Sequence, residues 1–228
     1  MKKHYYLENI IYFLGRSLSR TYAKICFKKK ISLENKLPKG AKIFAVNHPS
    51  TLDPLYVMGA IKEPVHAMLT ETVFKIFGLS KIIIWAGHVN VEVKNRRNAL
   101  EQAIQLLNKN RSILIFPEGV VSKNSQKVGK LRTGLARMAL ATGAPIIPIG
   151  IHLDPKKVKR TTITVKGKES VFVWYRRGAY TISYGKAIYL NGQCENRNLV
   201  KETSVFLQAV LQNLLLKSRR LTKLPIAS

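Results

Sequence analysis

Acidic residues, cysteines and long apolar runs are all scarce in this sequence. Among 228 residues, 12 Asp and Glu face 39 Lys and Arg, for a net charge of +27 at pH 7. That imbalance suits polyanionic partners: nucleic acid, an anionic membrane face, or phosphorylated and CoA-like ligands. Cys26 and Cys194 are the only cysteines. Two distant thiols make neither a disulfide framework nor a zinc site, so a reducing compartment and packing roles are expected. The longest uncharged stretch, Met138–Leu153, is broken by Gly143, Pro145 and Pro148. A spanning helix needs about 18 apolar residues, so no transmembrane helix is expected. Arg16 and Arg20 interrupt the first apolar stretch, which argues against a cleavable signal. Helix-turn-helix signatures, aromatic-basic strand motifs and internal repeats are also missing, which removes the usual nucleic-acid folds.

What is present is enough to build a core. The chain is 46% hydrophobic, which excludes disorder, and its length fits one compact domain with short appendages. Basic residues concentrate in residues 1–30, in 156–177 and in the tail at Lys217, Arg219, Arg220 and Lys223. Residues 5–30 place Leu7, Ile10, Ile11, Leu14, Leu18, Tyr22 and Ile25 near one face of a helix. A basic amphipathic helix of this kind either lies in a membrane interface or packs on the domain by the same stripe.

The pattern then alternates. Strands are expected at Lys42–Val46, Val65–Leu69, Lys81–Trp85, Ser112–Phe116 and Pro145–Ile151, the last an edge strand or an element end because of its prolines. Helices are expected at about Pro49–Ala60, Thr72–Phe77, Arg96–Asn108 and Thr133–Ala141. Short basic strands at Thr161–Val165, Val171–Tyr175 and Tyr180–Tyr184 precede a final helix, Asn198–Leu216. This alternation predicts an α/β fold: a mixed, centrally parallel sheet flanked by helices, with an N-terminal basic amphipathic helix. Residues 1–30 form that helix and 31–228 a single domain.

In open α/β sheets, ligands bind beyond the carboxyl ends of the strands. Two loops leave strands there. One is Asn47-His48-Pro49-Ser50-Thr51-Leu52-Asp53-Pro54, and the other is Phe116-Pro117-Glu118-Gly119. Asp53 is close enough to fold back onto His48, fix its tautomer and stabilise the imidazolium. The plain alternative is a surface histidine beside a helix start. Glu118 can bind a hydroxyl or pair with Lys130 or Arg132, while Pro-Glu-Gly is also ordinary turn chemistry. His4, His66, His88 and His152 read as packing histidines, with His88 the one to watch.

Taken in order, the motifs are more specific. Asn-His-x-x-x-x-Asp, then Phe-Pro-Glu-Gly, then Lys130-Leu131-Arg132-Thr133-Gly134 and Ala144-Pro145-Ile146-Ile147-Pro148-Ile149 resemble the glycerolipid acyltransferase family, over about residues 40–152. The resemblance implies acyl transfer from a thioester, acyl-CoA or acyl carrier protein, to a lysophospholipid hydroxyl, with His48 as base and Asp53 orienting it. No further cofactor and no metal is implied. The acceptor site would be lined by Asn47, Phe116, Pro117, Glu118 and Gly119; Arg132 is an additional candidate phosphate partner. The absence of a Gly-x-Ser-x-Gly elbow fits a reaction needing no enzyme nucleophile. The implied acceptor is 1-acylglycerol-3-phosphate, giving phosphatidic acid. The place of action is the cytoplasmic face of the cell membrane, held peripherally by an anionic surface.

Two positions depart from the family pattern. The second block, Gly87-His88-Val89-Asn90-Val91-Glu92-Val93, carries Val93 where the family usually has a phosphate-holding basic residue, with Lys94, Arg96 and Arg97 following. Val120-Val121-Ser122 stands where Thr-Arg-Ser is common. A lyso-aminolipid or other lysophospholipid acceptor therefore stays open, as does a non-catalytic basic lipid-binding or nucleic-acid-binding protein.

Overall fold

The computed structural model describes residues 2–75, 80–165 and 168–222. Helix α1 (Lys2–Cys26) runs directly into strand β1 (Phe27–Leu33). Then come β2 (Ile43–Val46), α2 (Asp53–Ala60), β3 (Val65–Thr70) and the short helices α3 (Glu71–Phe74) and α4 (Ser80–Trp85). β4 (Val89–Val91), α5 (Arg96–Asn108), β5 (Ser112–Ile115), α6 (Gly134–Thr142) and β6 (Ile146–Leu153) continue the alternation. An antiparallel ribbon of β7 (Lys159–Val165) and β8 (Lys168–Trp174) follows, then β9 (Gly178–Tyr184) and helix α7 (Arg197–Leu221).

Seven strands form one sheet in the order β1-β9-β6-β2-β5-β3-β4. Neighbours from β6 to β4 are parallel, β9 runs against β6, and β1 runs alongside β9. This is the expected mixed, centrally parallel α/β sheet. Its central strands are apolar on both faces, as sheets covered by helices on two sides must be. Every residue of β2, β5 and β6 is buried. One face carries a core that includes Tyr12, Phe27, Tyr56, Tyr175 and Tyr180, under α1 and α2. The other carries Leu107, Leu135, Met138, Leu211 and Leu215, under α5, α6 and α7. Contact is closest at Gly150, where any Cβ would overlap the α7 backbone at Leu214. Ser218 Oγ on α7 donates to the Gly150 carbonyl at 2.7 Å.

Several sequence expectations need correction. Lys81–Trp85 is helical, not a buried strand: only Ile83 of α4 is buried, while Ile82, Ile84 and Trp85 are exposed. A five-residue apolar run does not discriminate strand from helix. The place beside β3 goes instead to β4, which was not anticipated. Pro145–Ile151 is an interior strand, since β6 lies between β2 and β9. The interior tolerates Pro148 because its carbonyl, and so the side its missing N–H would face, points to Gly185, where β9 has ended. The first helix stops at Cys26, and the basic run after Phe27 pairs with β9, so β1 crosses the expected boundary at residue 31. The second helix begins at Asp53 rather than near Pro49, leaving His48 to Leu52 as loop. The expected helix Thr72–Phe77 survives as α3, while Phe77 and its stop at Gly78 lie outside the described residues, as do Lys166 and Lys223.

Most of the described amphipathic stripe of α1 does not hold the helix to the domain; Tyr22 does, stacking on Tyr56 with centroids 5.9 Å apart and donating its hydroxyl to the Arg176 carbonyl at 3.2 Å. Among the side chains described, Tyr12, Ser19 and Ala23 are the buried positions. They lie over α2, where Ser19 Oγ donates to the Leu55 carbonyl at 2.7 Å and a Cβ on Gly59 would collide with that hydroxyl. Ile10, Leu14, Leu18 and Ile25 of the expected stripe face outward, Leu18 being 74% exposed. The side chains of Leu7 and Ile11 lie outside the described set.

Candidate active site

The loop after β2 is built around a reciprocal turn. Asp53 N–H donates to the Ser50 carbonyl at 3.1 Å, and Ser50 N–H donates to Asp53 Oδ2 at 2.7 Å. This places the Asp53 carboxylate fully inside the protein, at the start of α2. His48 Nδ1 lies 3.1 Å from the same oxygen. Tyr180 on β9 donates its hydroxyl to the other oxygen, Oδ1, at 3.1 Å. Leaving a charge unpaired in the interior costs several kcal/mol. Hydrogen bonds to a charged group are worth roughly 1.5–3 kcal/mol each, so these donors offset the cost in large part. The offset is incomplete: burial holds the Asp53 carboxyl above its ordinary range, against the lowering pull of His48, Ser50 and Tyr180.

With Nδ1 turned to the carboxylate, Nε2 of His48 points away from it. Among the described residues Nε2 has no hydrogen-bond partner, and the side chain is 14% exposed. The ring stacks on Phe116, with centroids 4.2 Å apart at 30°. The imidazole is thus gripped on one nitrogen and one face, with its second nitrogen accessible. No serine or cysteine side chain is hydrogen-bonded to it among the described residues. Such a group can take a proton from a hydroxyl brought to it.

The remaining expected residues divide into supports and rim. Asn47 is buried and links β2 to β6: Nδ2 donates to the Ile151 carbonyl at 3.0 Å, and Oδ1 accepts from Ile151 N–H at 2.6 Å. Its amide adds a rung to the ladder just before His48. Glu118 is also buried, and both its oxygens are occupied from within. Oε1 accepts from His48 N–H at 2.9 Å; Oε2 accepts from Ser122 Oγ at 2.8 Å and Gly129 N–H at 2.7 Å. Ser122 N–H donates to the His48 carbonyl at 2.8 Å. The segment from Glu118 to Ser122 therefore clamps the histidine backbone from both sides. Gly119 has a left-handed φ of 69° and closes on the Phe116 carbonyl through its N–H at 2.9 Å. A side chain there would strike Arg132, which lies across it at the exposed rim. Pro117 is buried and accepts the Arg132 N–H at 2.8 Å.

The second block is placed elsewhere. Val93 is 65% exposed after β4, and Arg97 is committed to Glu101 at 2.8 Å. His88 is a packing residue: its Nδ1 accepts from Ala67 N–H at 3.1 Å, and burial beside His66 pushes it down to about 4. Neutral imidazole is the form that can accept that bond. Gly129 and Tyr180 were not singled out in the sequence, and Ser50 and Ser122 stood there only within longer stretches. Gly129 lies downstream of Glu118 without any motif of its own. Tyr180 sits 127 residues from Asp53 in an ordinary alternating strand.

An imidazole held by a buried carboxylate at the carboxyl ends of parallel strands, with its second nitrogen open, is an arrangement able to activate a hydroxyl. The chain belongs to the acyltransferase family, whose model matches residues 28–152, more than half of its length. A probable 1-acyl-sn-glycerol-3-phosphate acyltransferase of Mycoplasma pneumoniae is 29% identical over 133 residues, covering 53% of this chain and 50% of the relative. The 1-acyl-sn-glycerol-3-phosphate acyltransferase of Cocos nucifera is 30% identical over 137 residues, covering 54% and 44%. The chain thus spans about half the length of these curated relatives. The crystal structure of the 1-acyl-sn-glycerophosphate (LPA) acyltransferase, PlsC, from Thermotoga maritima shares the fold, with a TM-score of 0.66 at 19% identity over 100% of this chain and 84% of that one.

The raised Asp53 carboxyl fixes the sign of a stability effect. A carboxyl whose folded value exceeds its ordinary 3.8 destabilises the fold increasingly as pH rises above that ordinary value. Asp53→Asn at pH 7 is therefore expected to melt no lower than the parent while losing about 10²–10⁴-fold in transfer rate. Thermal denaturation beside a rate assay checks both; a clear fall in melting temperature contradicts the burial argument.

Proposed function

We propose that this protein transfers a fatty acyl group from an acyl thioester, acyl-CoA or acyl carrier protein, to the free hydroxyl of a lysophospholipid. The acceptor is 1-acylglycerol-3-phosphate and the product phosphatidic acid. The observation that carries the reading is the 3.1 Å contact of His48 Nδ1 with the buried Asp53, which leaves Nε2 for the substrate. His48 Nε2 removes the hydroxyl proton as the alkoxide oxygen attacks the thioester carbonyl. The C–S bond then breaks, and the leaving thiolate takes the proton back from the imidazolium. Asp53 stabilises that imidazolium, and Glu118 with Asn47 holds the loop that aims it. The relatives in Mycoplasma pneumoniae and Cocos nucifera, by their names, support the acceptor. Arg132, across Gly119 at the rim, is the phosphate partner. One observation favours a second reading in which another lysophospholipid is the acceptor: exposed Val93 offers no charge at the second block.

The chain works at an anionic membrane surface without crossing it. No helix among the described residues is long and apolar enough to span a bilayer. The outward Ile10, Phe13, Leu14, Leu18 and Ile25 of α1, with Ile82, Ile84 and Trp85 of neighbouring α4, supply an apolar face. Each basic residue near an anionic leaflet adds about 1 kcal/mol, so six of them suffice for peripheral adsorption.

In a thiol-release assay with acyl-CoA or acyl carrier protein and a panel of lyso-lipids, the parent is expected to release thiol with 1-acylglycerol-3-phosphate. His48→Ala should abolish release while keeping the fold by circular dichroism, and near-normal turnover by that variant sinks the mechanism. For the membrane contact, Leu14→Ser with Leu18→Ser should weaken binding to anionic vesicles by roughly tenfold or more, given the apolar area removed. Unchanged co-sedimentation with vesicles would show that α1 is not the contact.

A further inference from the structure

One arginine outside the family motifs is fastened to the site from two directions. β7 and β8 pair only with each other among the described residues, yet their ribbon grips both site loops. The Val173 carbonyl on β8 accepts from Ser50 Oγ and from Thr51 N–H, each at 3.0 Å, and Val173 N–H donates to Thr51 Oγ1 at 2.9 Å. Arg160 on β7 is the register partner of Val173. Its own Nη2 donates to the carbonyls of Ser122 and Lys123 at 2.6 and 2.7 Å. Ser122 is the residue whose N–H reaches the His48 carbonyl at 2.8 Å. The backbone of Arg160 is thus tied to the segment just after His48, and its guanidinium to the segment that clamps His48.

The guanidinium is positioned but not neutralised. Among the described residues it has no carboxylate partner, and Nε and Nη1 carry no hydrogen bond. An arginine oriented through one nitrogen, with its other donors free, is set to receive a forked oxyanion such as a phosphate. Arg132 lies across Gly119, three residues before Ser122, so the 119–123 segment carries one guanidinium at each end.

We infer that Arg160 binds a phosphate group of a substrate at the mouth of the His48 site, a role that rests on the acyl-transfer reading above. Either substrate could bring that group. The acceptor is the expected source, because its phosphate lies only a glycerol carbon or two from the reacting hydroxyl. The donor's phosphates lie a whole pantetheine arm from the thioester.

Steady-state thiol release by the parent, Arg160→Gln and Arg160→Lys, with donor and acceptor varied in turn, tests this. Arg160→Gln should raise the KM for 1-acylglycerol-3-phosphate about 10- to 100-fold, the equivalent of one charged hydrogen bond or more. Its kcat should stay within about threefold of the parent, and Arg160→Lys should recover part of the loss. A rise in donor KM instead would assign the same site to the donor's phosphate. Unchanged KM for both substrates overturns the inference. So does a fall in kcat alone, equal in both variants and accompanied by a lower melting temperature, which would make Arg160 a mere fastener of the loops. If the parent releases no thiol with any lyso-acceptor, the acyl-transfer reading has failed by itself. Equilibrium binding of 1-acylglycerol-3-phosphate against 1-acylglycerol then still decides Arg160: the parent should prefer the phosphorylated lipid and Arg160→Gln should not.

Discussion

A carboxylate with no access to water is the constraint on which this site depends. Asp53 is fully buried, and it is kept there by three donors: the His48 ring, the Ser50 backbone and the Tyr180 hydroxyl. Two donors come from the loop between β2 and α2 and the third from β9, so the position of the carboxylate ties that loop to β9. In return, the carboxylate fixes the only rotatable part of the site that matters for proton transfer. Burial makes the interaction with an imidazolium stronger than it would be in water. The same burial charges the fold for holding the ion, which is why the site is braced so heavily around it.

The braces are polar side chains acting as backbone. Asn47 continues the β2–β6 ladder by one rung, and Glu118 serves three donors at once. Buried polar groups of this kind are costly unless fully satisfied, and these are satisfied by the very loops that carry the chemistry. The β7–β8 ribbon then closes the arrangement from outside by holding Ser50, Thr51, Ser122 and Lys123. The loops around His48 are therefore fixed from the sheet below and from the ribbon above. What lies outside this framework is the apolar side of α1, which the domain leaves uncovered.

Much of this was legible in the sequence, and the failures have physical causes. Apolar runs such as IFAV and ILIF announce central parallel strands, and His48 with Asp53 is a local pattern whose spacing permits contact. Lys81–Trp85 misled because a short apolar run carries no period; in the fold it is a helix with only Ile83 buried. Pro148 misled because a proline signals an edge only when its missing N–H faces a partner. Glu118 was noticed as a lone acid in a basic chain, but the sequence could not tell whether its oxygens faced a substrate or three internal donors. Tyr180 and Arg160 were invisible for a simpler reason: both reach the site through long-range pairing that no local motif records. The amphipathic stripe of α1 was seen correctly as a stripe, and only packing could say that Tyr12, Ser19 and Ala23 lie inside instead.

The central claim is about one proton. In its neutral form His48 should carry it on Nδ1, facing Asp53, with Nε2 bare. Nitrogen-15 NMR of the histidine-labelled protein, with His48 assigned by its absence in a His48→Ala spectrum, reads the tautomer directly. The account predicts a protonated Nδ1 and an unprotonated Nε2, with the shifts of Asp53→Asn moving at the same resonance. A neutral His48 protonated on Nε2 would contradict it, because that ring could not act as the base from its open side.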